Sequence, residues 1–180
     1  LDLVVGLPAA RAGGSAAGAS YLMLGPLTGT KSVTTAEASI DGSTGQWLGH
    51  SLAAGDIDGD GLDDLLIGAP EFGTSAADGV AYLFLSPLTG EVGTADADAS
   101  ARQDTTWSWW AGLALSIPGD LDGDGFREFA LGSPMWPAYG GVYVFSGASR
   151  GTLGEGDTVA VITGDTSSGL SYWVGPAGDQ

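Results

Sequence analysis

Residues 56–70 read DIDGDGLDDLLIGAP, an acidic nine-residue loop followed by a short apolar run. The same pattern returns at residues 120–134 as DLDGDGFREFALGSP. Its apolar half opens the chain at residues 1–8 (LDLVVGLP), and its first residues return at 178–180 (GDQ). The sequence is therefore a tandem repeat whose two ends fall inside the acidic loop.

The first acidic loop places oxygen ligands at regular intervals. Four carboxylates gathered around one point repel each other unless a cation lies between them. Gly61 stands where a tight turn needs a residue that tolerates positive φ, and this turn directs the next carbonyl inward. An oxygen-only ligand set of this kind suits Ca²⁺. We predict a calcium site formed by the side chains of Asp56, Asp58, Asp60 and Asp64 and the carbonyl of Leu62.

The second loop offers an equivalent set, with a longer acidic side chain at its last position. We predict a second complete calcium site formed by Asp120, Asp122, Asp124, the carbonyl of Phe126, and Glu128. A third site is predicted to be split between the termini, because Asp179 matches the first loop position and Asp2 the ninth.

Two other interpretations of the loops were weighed. An EF-hand needs a bidentate Glu at position 12 between two helices, but Ile67 and Leu131 occupy that position, in apolar runs that are typical of strands. The remaining alternative is a solvated acidic turn without metal. Two loops with matched flanking sequences favour the metal site.

Composition narrows the class of protein. The chain has 180 residues, of which 43% are hydrophobic, so it can bury a core. The net charge of −17, with five Lys plus Arg, argues against nucleic acid and anionic membranes as partners. The sequence contains no Cys or Asn and no apolar run long enough to span a bilayer.

Short apolar segments alternate with turn sequences along the whole chain. GPLTG at residues 25–29 and SPLTG at 86–90 mark equivalent turns, and matched elements recur after about 60 residues without helical periodicity. This spacing predicts an all-β fold of β-propeller blades, each of four antiparallel strands. Three units are predicted, approximately at residues 1–46, 47–108 and 109–168, with 169–180 an inner strand of a further or shared blade.

The motifs resemble FG-GAP repeats, the Ca²⁺-binding blades of integrin α-subunit propellers and of many bacterial surface proteins. The Gly-Ala-Pro part stands at residues 68–70 and, modified, at 132–134 and 6–8, whereas the Phe-Gly part is Leu48-Gly49 and Ala111-Gly112, without its aromatic residue. The resemblance implies that the acidic loops lie on the lower face of the blades. It also implies that the loops between the second and third strands, and between blades, form the upper, ligand-facing side.

The ends of the chain depart from that family. A closed propeller has four to eight blades, whereas this sequence holds three units, permuted at the ends. The chain is therefore expected to be either a fragment or a protomer. In the second case residues 170–179 of one copy would pair with residues 2–6 of another, which gives a ring or a filament by head-to-tail self-association.

Aromatic residues cluster before the strands that lead into the acidic loops. They are a candidate platform for sugar rings or a partner protein, and the alternative is packing between blades. The cluster consists of Trp47, Trp107, Trp109, Trp110, Tyr172 and Trp173, with Trp136 and Tyr139 predicted on the same side.

No arrangement predicts catalysis. His50 precedes Ser51, and neighbours on a strand point to opposite faces, so they cannot form a nucleophile–base pair. Asp96, Asp98 and Asp104 could supply paired carboxylates for glycoside chemistry, but a solvated outer strand explains them more simply.

These observations predict a non-catalytic, extracellular or cell-surface Ca²⁺-binding propeller segment for adhesion or surface assembly. Millimolar extracellular Ca²⁺ would fill sites of moderate affinity. The expected partner is a protein or glycan on the upper face, with no nucleic acid and no membrane span. The alternative is a carbohydrate-binding module or the scaffold of a polysaccharide-active enzyme.

Overall fold

The computed structural model describes residues 1–11, 13–71, 79–102, 110–134, 140–164, 170 and 172–177. Thirteen strands lie within these residues: β1 Leu3–Leu7, β2 Ala19–Met23, β3 Ala38–Asp41, β4 Ser51–Gly55, β5 Asp64–Ala69, β6 Val80–Phe84, β7 Gly90–Gly93, β8 Ala99–Arg102, β9 Ala114–Gly119, β10 Glu128–Ser133, β11 Gly141–Phe145, β12 Gly151–Leu153 and β13 Ala160–Thr163. Three short 3-10 helices, Val33–Thr35, Thr94–Asp96 and Glu155–Asp157, precede β3, β8 and β13.

The strands form three sheets. The first sheet has the order β1-β2-β3-β7, the second β4-β5-β6-β8-β12 and the third β9-β10-β11-β13. Successive strands pair antiparallel, whereas β7 and β12 pair in parallel with β3 and β8. The predicted all-β class is confirmed for the described residues, and the three sheets are consistent with propeller-like blades.

The core lies between the sheets. Leu66 and Leu83 of the second sheet pack with Phe129 and Phe145 of the third, and a second cluster joins the second sheet to Ile40 of the first. Because neighbours cover the second sheet on both faces, every residue of β5 and β6 is buried. This explains why those strands are continuous apolar runs rather than alternating patterns.

Three features differ from the sequence-based expectation. Residues 33–35 form a 3-10 helix, an element that the all-β prediction does not include, since Ser32 Oγ accepts the amide of Thr34 and caps a turn. In place of blades made only of four antiparallel strands, a parallel strand from the following unit extends the three antiparallel strands of the first sheet and the four of the second. The described residues of segment 169–180 form no strand.

Within the described residues no helix has the length and apolar character needed to cross a membrane.

Candidate metal centres

Both acidic loops connect the first two strands of a sheet. The ladder pair Gly55–Asp64 closes the first loop between β4 and β5, and Gly119–Glu128 closes the second between β9 and β10. In each pair the ninth residue of the loop lies opposite the residue that comes directly before the first loop residue. The carboxylates at the two ends of each loop therefore lie close together.

Inside the first loop, short hydrogen bonds fix the backbone. Asp58 Oδ1 accepts the amide of Asp60 at 3.1 Å, and Asp60 Oδ1 accepts that of Leu62 at 2.8 Å. Gly61 has φ of 92°, as its predicted turn position requires. These Asx-type turns curl the loop around its own carboxylates.

The first loop gathers three of its four predicted carboxylates. Asp56, Asp58 and Asp64 each place an oxygen within 4.8 Å of the other two. Oxygens that bind one Ca²⁺ at 2.3–2.6 Å lie at most about 4.6–5.2 Å from each other, so the spacing fits this ion. Asp60 lies outside this trio, and the Leu62 carbonyl stays a predicted ligand.

The second loop repeats the arrangement. Asp120, Asp122 and Glu128 form its trio, again with oxygens within 4.8 Å. Asp124 lies outside the trio, and its Oδ1 accepts the Phe126 amide at 2.8 Å. The Phe126 carbonyl likewise stays a predicted ligand.

Each trio contains a buried oxygen without a protein hydrogen-bond partner. In the first loop it is Asp56 Oδ1, and in the second it is Glu128 Oε1. Buried carboxylate oxygens need a donor or a cation. The donor sets therefore fit a hard cation such as Ca²⁺, which would occupy the position of the absent donor.

The loops differ at their first and ninth positions. Both oxygens of Asp64 accept backbone amides, from Ile57 at 2.8 Å and Ser86 at 2.9 Å. In the second loop the carboxylate of Asp120 accepts the amides of Gly123 and Gly125 instead. The oxygen that stays free for an ion therefore belongs to the first loop residue, Asp56, in one site and to the ninth loop residue, Glu128, in the other.

The pKa values of the two ninth loop residues, Asp64 and Glu128, shift in the same direction. Burial raises the pKa of Asp64 and the Asp58 charge adds to this, although hydrogen bonds from Ser86 and Ile57 act in the opposite direction. Burial is also the largest cause of the raised pKa of Glu128, reinforced by the neighbouring aspartates of its loop. A raised pKa means that the ionised form is disfavoured at these positions, and a bound cation would reverse that preference.

Two serines that the sequence analysis did not single out support the loops. Ser86 donates its hydroxyl to the Asp63 carbonyl at 2.6 Å, and Ser146 donates to Asp124 Oδ2 at 3.3 Å. Both follow the third strand of their sheet. Ser86 lies two residues after β6 and Ser146 lies directly after β11, so a serine shortly after each third strand was the available signal.

A backbone bond links the two loops directly. Arg127 donates its amide to the Ile57 carbonyl at 2.9 Å, and the Ile57 side chain is buried in the core between the second and third sheets. Neither contact follows from loop spacing, because each depends on how the sheets pack. The two candidate sites therefore adjoin one another.

Of the two residues predicted to form the split site, the structure describes Asp2. Asp2 Oδ1 accepts the amide of Gly25 at 2.8 Å, just as Asp64 Oδ1 accepts that of Ser86. Asp2 therefore occupies the position equivalent to the ninth loop residue. Asp179 lies outside the described residues.

Part of the aromatic cluster surrounds a cavity of 590 Å³. Trp110, Tyr172 and Trp173 line it together with His50 and Ser51. Trp173 is 93% exposed. Trp47 is half-buried and absent from this lining, whereas Trp107, Trp109, Trp136 and Tyr139 lie outside the described residues.

The candidates for catalysis have structural explanations. Asp96 and Asp98 accept the backbone amides of Gly93 and Leu85, so they fix turns. Burial lowers the pKa of His50, which shares the cavity lining with Ser51. Asp104 lies outside the described residues.

Comparison with known proteins supplies the family. Residues 48–84 and 112–145 match the family model described as FG-GAP repeat. The chain contains FG-GAP repeats. Each match runs from the inner strand through the acidic loop to the third strand of a sheet, so the resemblance predicted from the sequence is confirmed.

Similar curated proteins include integrin α subunits. The chain is 37% identical over 123 residues to integrin alpha-PS2 of Drosophila melanogaster, covering 62% of this chain and 8% of that protein. It is 38% identical over 117 residues to human integrin alpha-IIb (58% and 11%). It is 34% identical over 139 residues to mouse integrin alpha-M (75% and 12%). The chain thus spans about a tenth of the length of these relatives.

Proposed function

We propose that this chain is a calcium-stabilised segment of an FG-GAP β-propeller that presents a binding surface for adhesion outside the cell. The observation that carries the proposal is the pair of carboxylate trios, each with a buried oxygen that lacks a hydrogen-bond partner. Similarity to integrin α subunits supports an adhesion-type role. The same similarity supports a function in binding rather than in catalysis.

The metal has a structural role in this proposal. A bound Ca²⁺ supplies the positive charge and coordination that the trios lack. The protein's own contribution is to hold each loop closed, through the bonds of Asp64 to Ile57 and Ser86 in the first site. Binding is therefore expected to stabilise the connection between the first two strands of each sheet.

Melting with and without chelator tests the metal. A ligand that binds only the folded state adds about 2.7 kcal/mol at 100 times its dissociation constant, so Ca²⁺ should raise Tm and chelation should lower it. Titration calorimetry should count two ions. Asp58→Ala and Asp122→Ala should each remove one ion, and together they should abolish most of the Tm response.

Asp63→Ala is the matched control, since Asp63 is an exposed loop carboxylate outside the trio. It should leave the stoichiometry at two. Identical melting curves in Ca²⁺ and in chelator would refute the proposal. Equal loss of calcium on replacing Asp63 and Asp58 would show that diffuse negative charge, and not the trio, holds the ion.

The arrangement of units belongs to the same proposal. We place the units approximately at residues 1–46, 47–108 and 109–168, with 169–180 as the segment that would become an inner strand on pairing with a further or shared blade. Leu170 lies against Gly140 as Ala111 lies against Gly79, which supports this placement. Pairing of residues 170–179 with residues 2–6 of another copy stays a prediction.

A carbohydrate-binding function is the second candidate. The cavity lined by Trp110, Tyr172 and Trp173 favours it, because aromatic faces stack on apolar ligand surfaces. A glycan array separates the two functions. Saturable sugar binding lost in Trp173→Ala, an exposed position whose replacement spares the core, would favour the carbohydrate-binding module.

A further inference from the structure

Two short strands connect neighbouring sheets in the same way. β7 lies in sequence between β6 and β8 of the second sheet, yet it pairs in parallel with β3 at the outer edge of the first. β12 lies between β11 and β13 of the third sheet and pairs in parallel with β8 of the second. The second and third sheets thus each send a return strand to the outer edge of the sheet before it.

The first unit contains an equivalent segment. Residues 29–32 (GTKS) precede the 3-10 helix Val33–Thr35, just as β7 and β12 precede the other two 3-10 helices. All three segments begin with a glycine of positive φ: 66° at Gly29, 73° at Gly90 and 79° at Gly151. Residues 29–32 are exposed and form no strand. They have the sequence position and starting conformation of a return strand without its pairing.

The third sheet contains the matching edge. The residues before β3, β8 and β13 each donate an amide to the strand beside them, at 2.8–2.9 Å, which makes Ala38, Ala99 and Ala160 equivalent. β3 and β8 each hold a return strand, whereas β13 pairs only with β11 among the described residues. Within the part of the chain that the structure describes, the outer edge of β13 is therefore open.

Burial shows the same contrast at one position. Ile40 of β3 and Ala101 of β8 are 0% exposed, whereas the equivalent Ile162 of β13 is 55% exposed. Val161 beside it is 39% exposed. An open edge with exposed apolar side chains is typical of a strand that accepts a partner.

We propose that residues 29–32 of one copy of this chain pair in parallel with β13 of a second copy. For this chain alone in solution, a second copy can supply the missing half, because both unmatched halves of a junction made twice within the chain belong to this same sequence. The repeated register places Gly29 opposite Ala160, as Gly90 lies opposite Ala38 and Gly151 opposite Ala99. The pairing requires neither a metal ion nor an adhesion ligand, so it goes beyond the function proposed above.

The register predicts which amides take part. Gly90 and Gly151 donate to the Glu37 and Asp98 carbonyls, both at 2.8 Å, so Gly29 should donate to the Val159 carbonyl of the second copy. In a parallel ladder alternate residues of a strand face a given neighbour. The backbone amide and carbonyl of Lys31 therefore face β13, and those of Thr30 face away. The Val161 amide donates to the Gly29 carbonyl.

Proline substitutions that remove single amides test this register. Lys31→Pro blocks the return segment, and Val161→Pro blocks the accepting edge. Thr30→Pro is the matched control for the first because its amide takes no part. Lys31→Ala and Val161→Ala control for the loss of side chains.

The masses of these chains are measured by sedimentation in Ca²⁺, at physiological salt so that repulsion between acidic copies is screened. The wild type and the three controls should associate as concentration rises. Each blocked variant alone should stay monomeric. An equimolar mixture of the two should form a one-to-one dimer and nothing larger, since it retains one competent junction.

Several outcomes would overturn the proposal. A wild-type chain that stays monomeric throughout would do so, and so would blocked variants that associate like the wild type or that fail to combine when mixed. Hydrogen exchange on the wild type gives a reading that does not depend on the variants. The Gly29 and Val161 amides should gain protection with concentration, and unchanged exchange contradicts the pairing. Loss of association with an intact response to Ca²⁺ would refute this inference alone.

Discussion

Ile57 and Leu121 occupy the same position of the two acidic loops but different environments. Ile57 is 0% exposed within the core shared by the second and third sheets, whereas Leu121 is 61% exposed. Their backbones make the same bond, since each donates its amide to the ninth residue of its loop. Replacing each with Ala therefore keeps the loop geometry and changes only the packing between sheets.

The two substitutions should differ strongly in cost. Removing a fully buried Ile side chain costs about 2–5 kcal/mol, the sum of lost transfer energy and a cavity. Leu121→Ala should change stability by no more than about 0.5 kcal/mol, as at other exposed sites. For a chain of this size each kcal/mol corresponds to about 2–4 °C in Tm.

Urea unfolding followed by tryptophan fluorescence gives both values, in saturating Ca²⁺ and at protein concentrations where the chain is monomeric. Calorimetry should still count two ions in each variant, because neither side chain is a ligand. Equal costs for the two substitutions would refute the packing of the second sheet on the third. So would a loss below about 1 kcal/mol for Ile57→Ala, which is less than a buried isoleucine can cost.

Two further predictions concern packing between neighbouring units. Gly147→Ala should destabilise by about 1–3 kcal/mol because its Cβ would collide with the Arg127 carbonyl and the Ile57 side chain; Gly156→Ala, with nothing within 4 Å, should be near neutral in the same urea titrations. Tyr82→Phe should cost about 0.5–1.5 kcal/mol by removing the hydroxyl that accepts from Gln46 Nε2 at 2.9 Å. Gln46→Ala has a further cost because Gln46 Oε1 accepts the Ser43 amide at 2.7 Å. In a double-mutant cycle the double variant should therefore cost less than the sum of the two single variants, and full additivity would show that the bond between Tyr82 and Gln46 contributes nothing.

The parts of the fold that could be predicted from the sequence are those fixed by nearby residues. Alternate carboxylates with a central glycine predicted two acidic loops, and in each loop three of the four predicted carboxylates lie close together. The apolar runs after them, β5 and β10, could also be predicted, since complete burial gives an uninterrupted apolar pattern. Metal occupancy of these loops is still a proposal.

The return strands could not be predicted, for a physical reason. β7 reads GEVG and β12 reads GTL, short segments with glycine and little strand propensity. Each forms a strand only because the outer edge of the preceding sheet offers unpaired backbone groups. That edge comes from a part of the sequence remote from the return strand, so a local pattern cannot reveal it.

The same reasoning explains the missed role of Ile57. From the sequence it is a hydrophobic residue within an acidic loop, equivalent to Leu121. In the structure its amide binds Asp64, its carbonyl accepts from Arg127, and its side chain lies in the core between sheets. Through its hydrogen bond with Ile57, Asp64 thereby connects the first carboxylate trio to the packing between the second and third sheets. An ion that fixes Asp64 should therefore stabilise the junction between the second and third sheets as well as the loop that holds it.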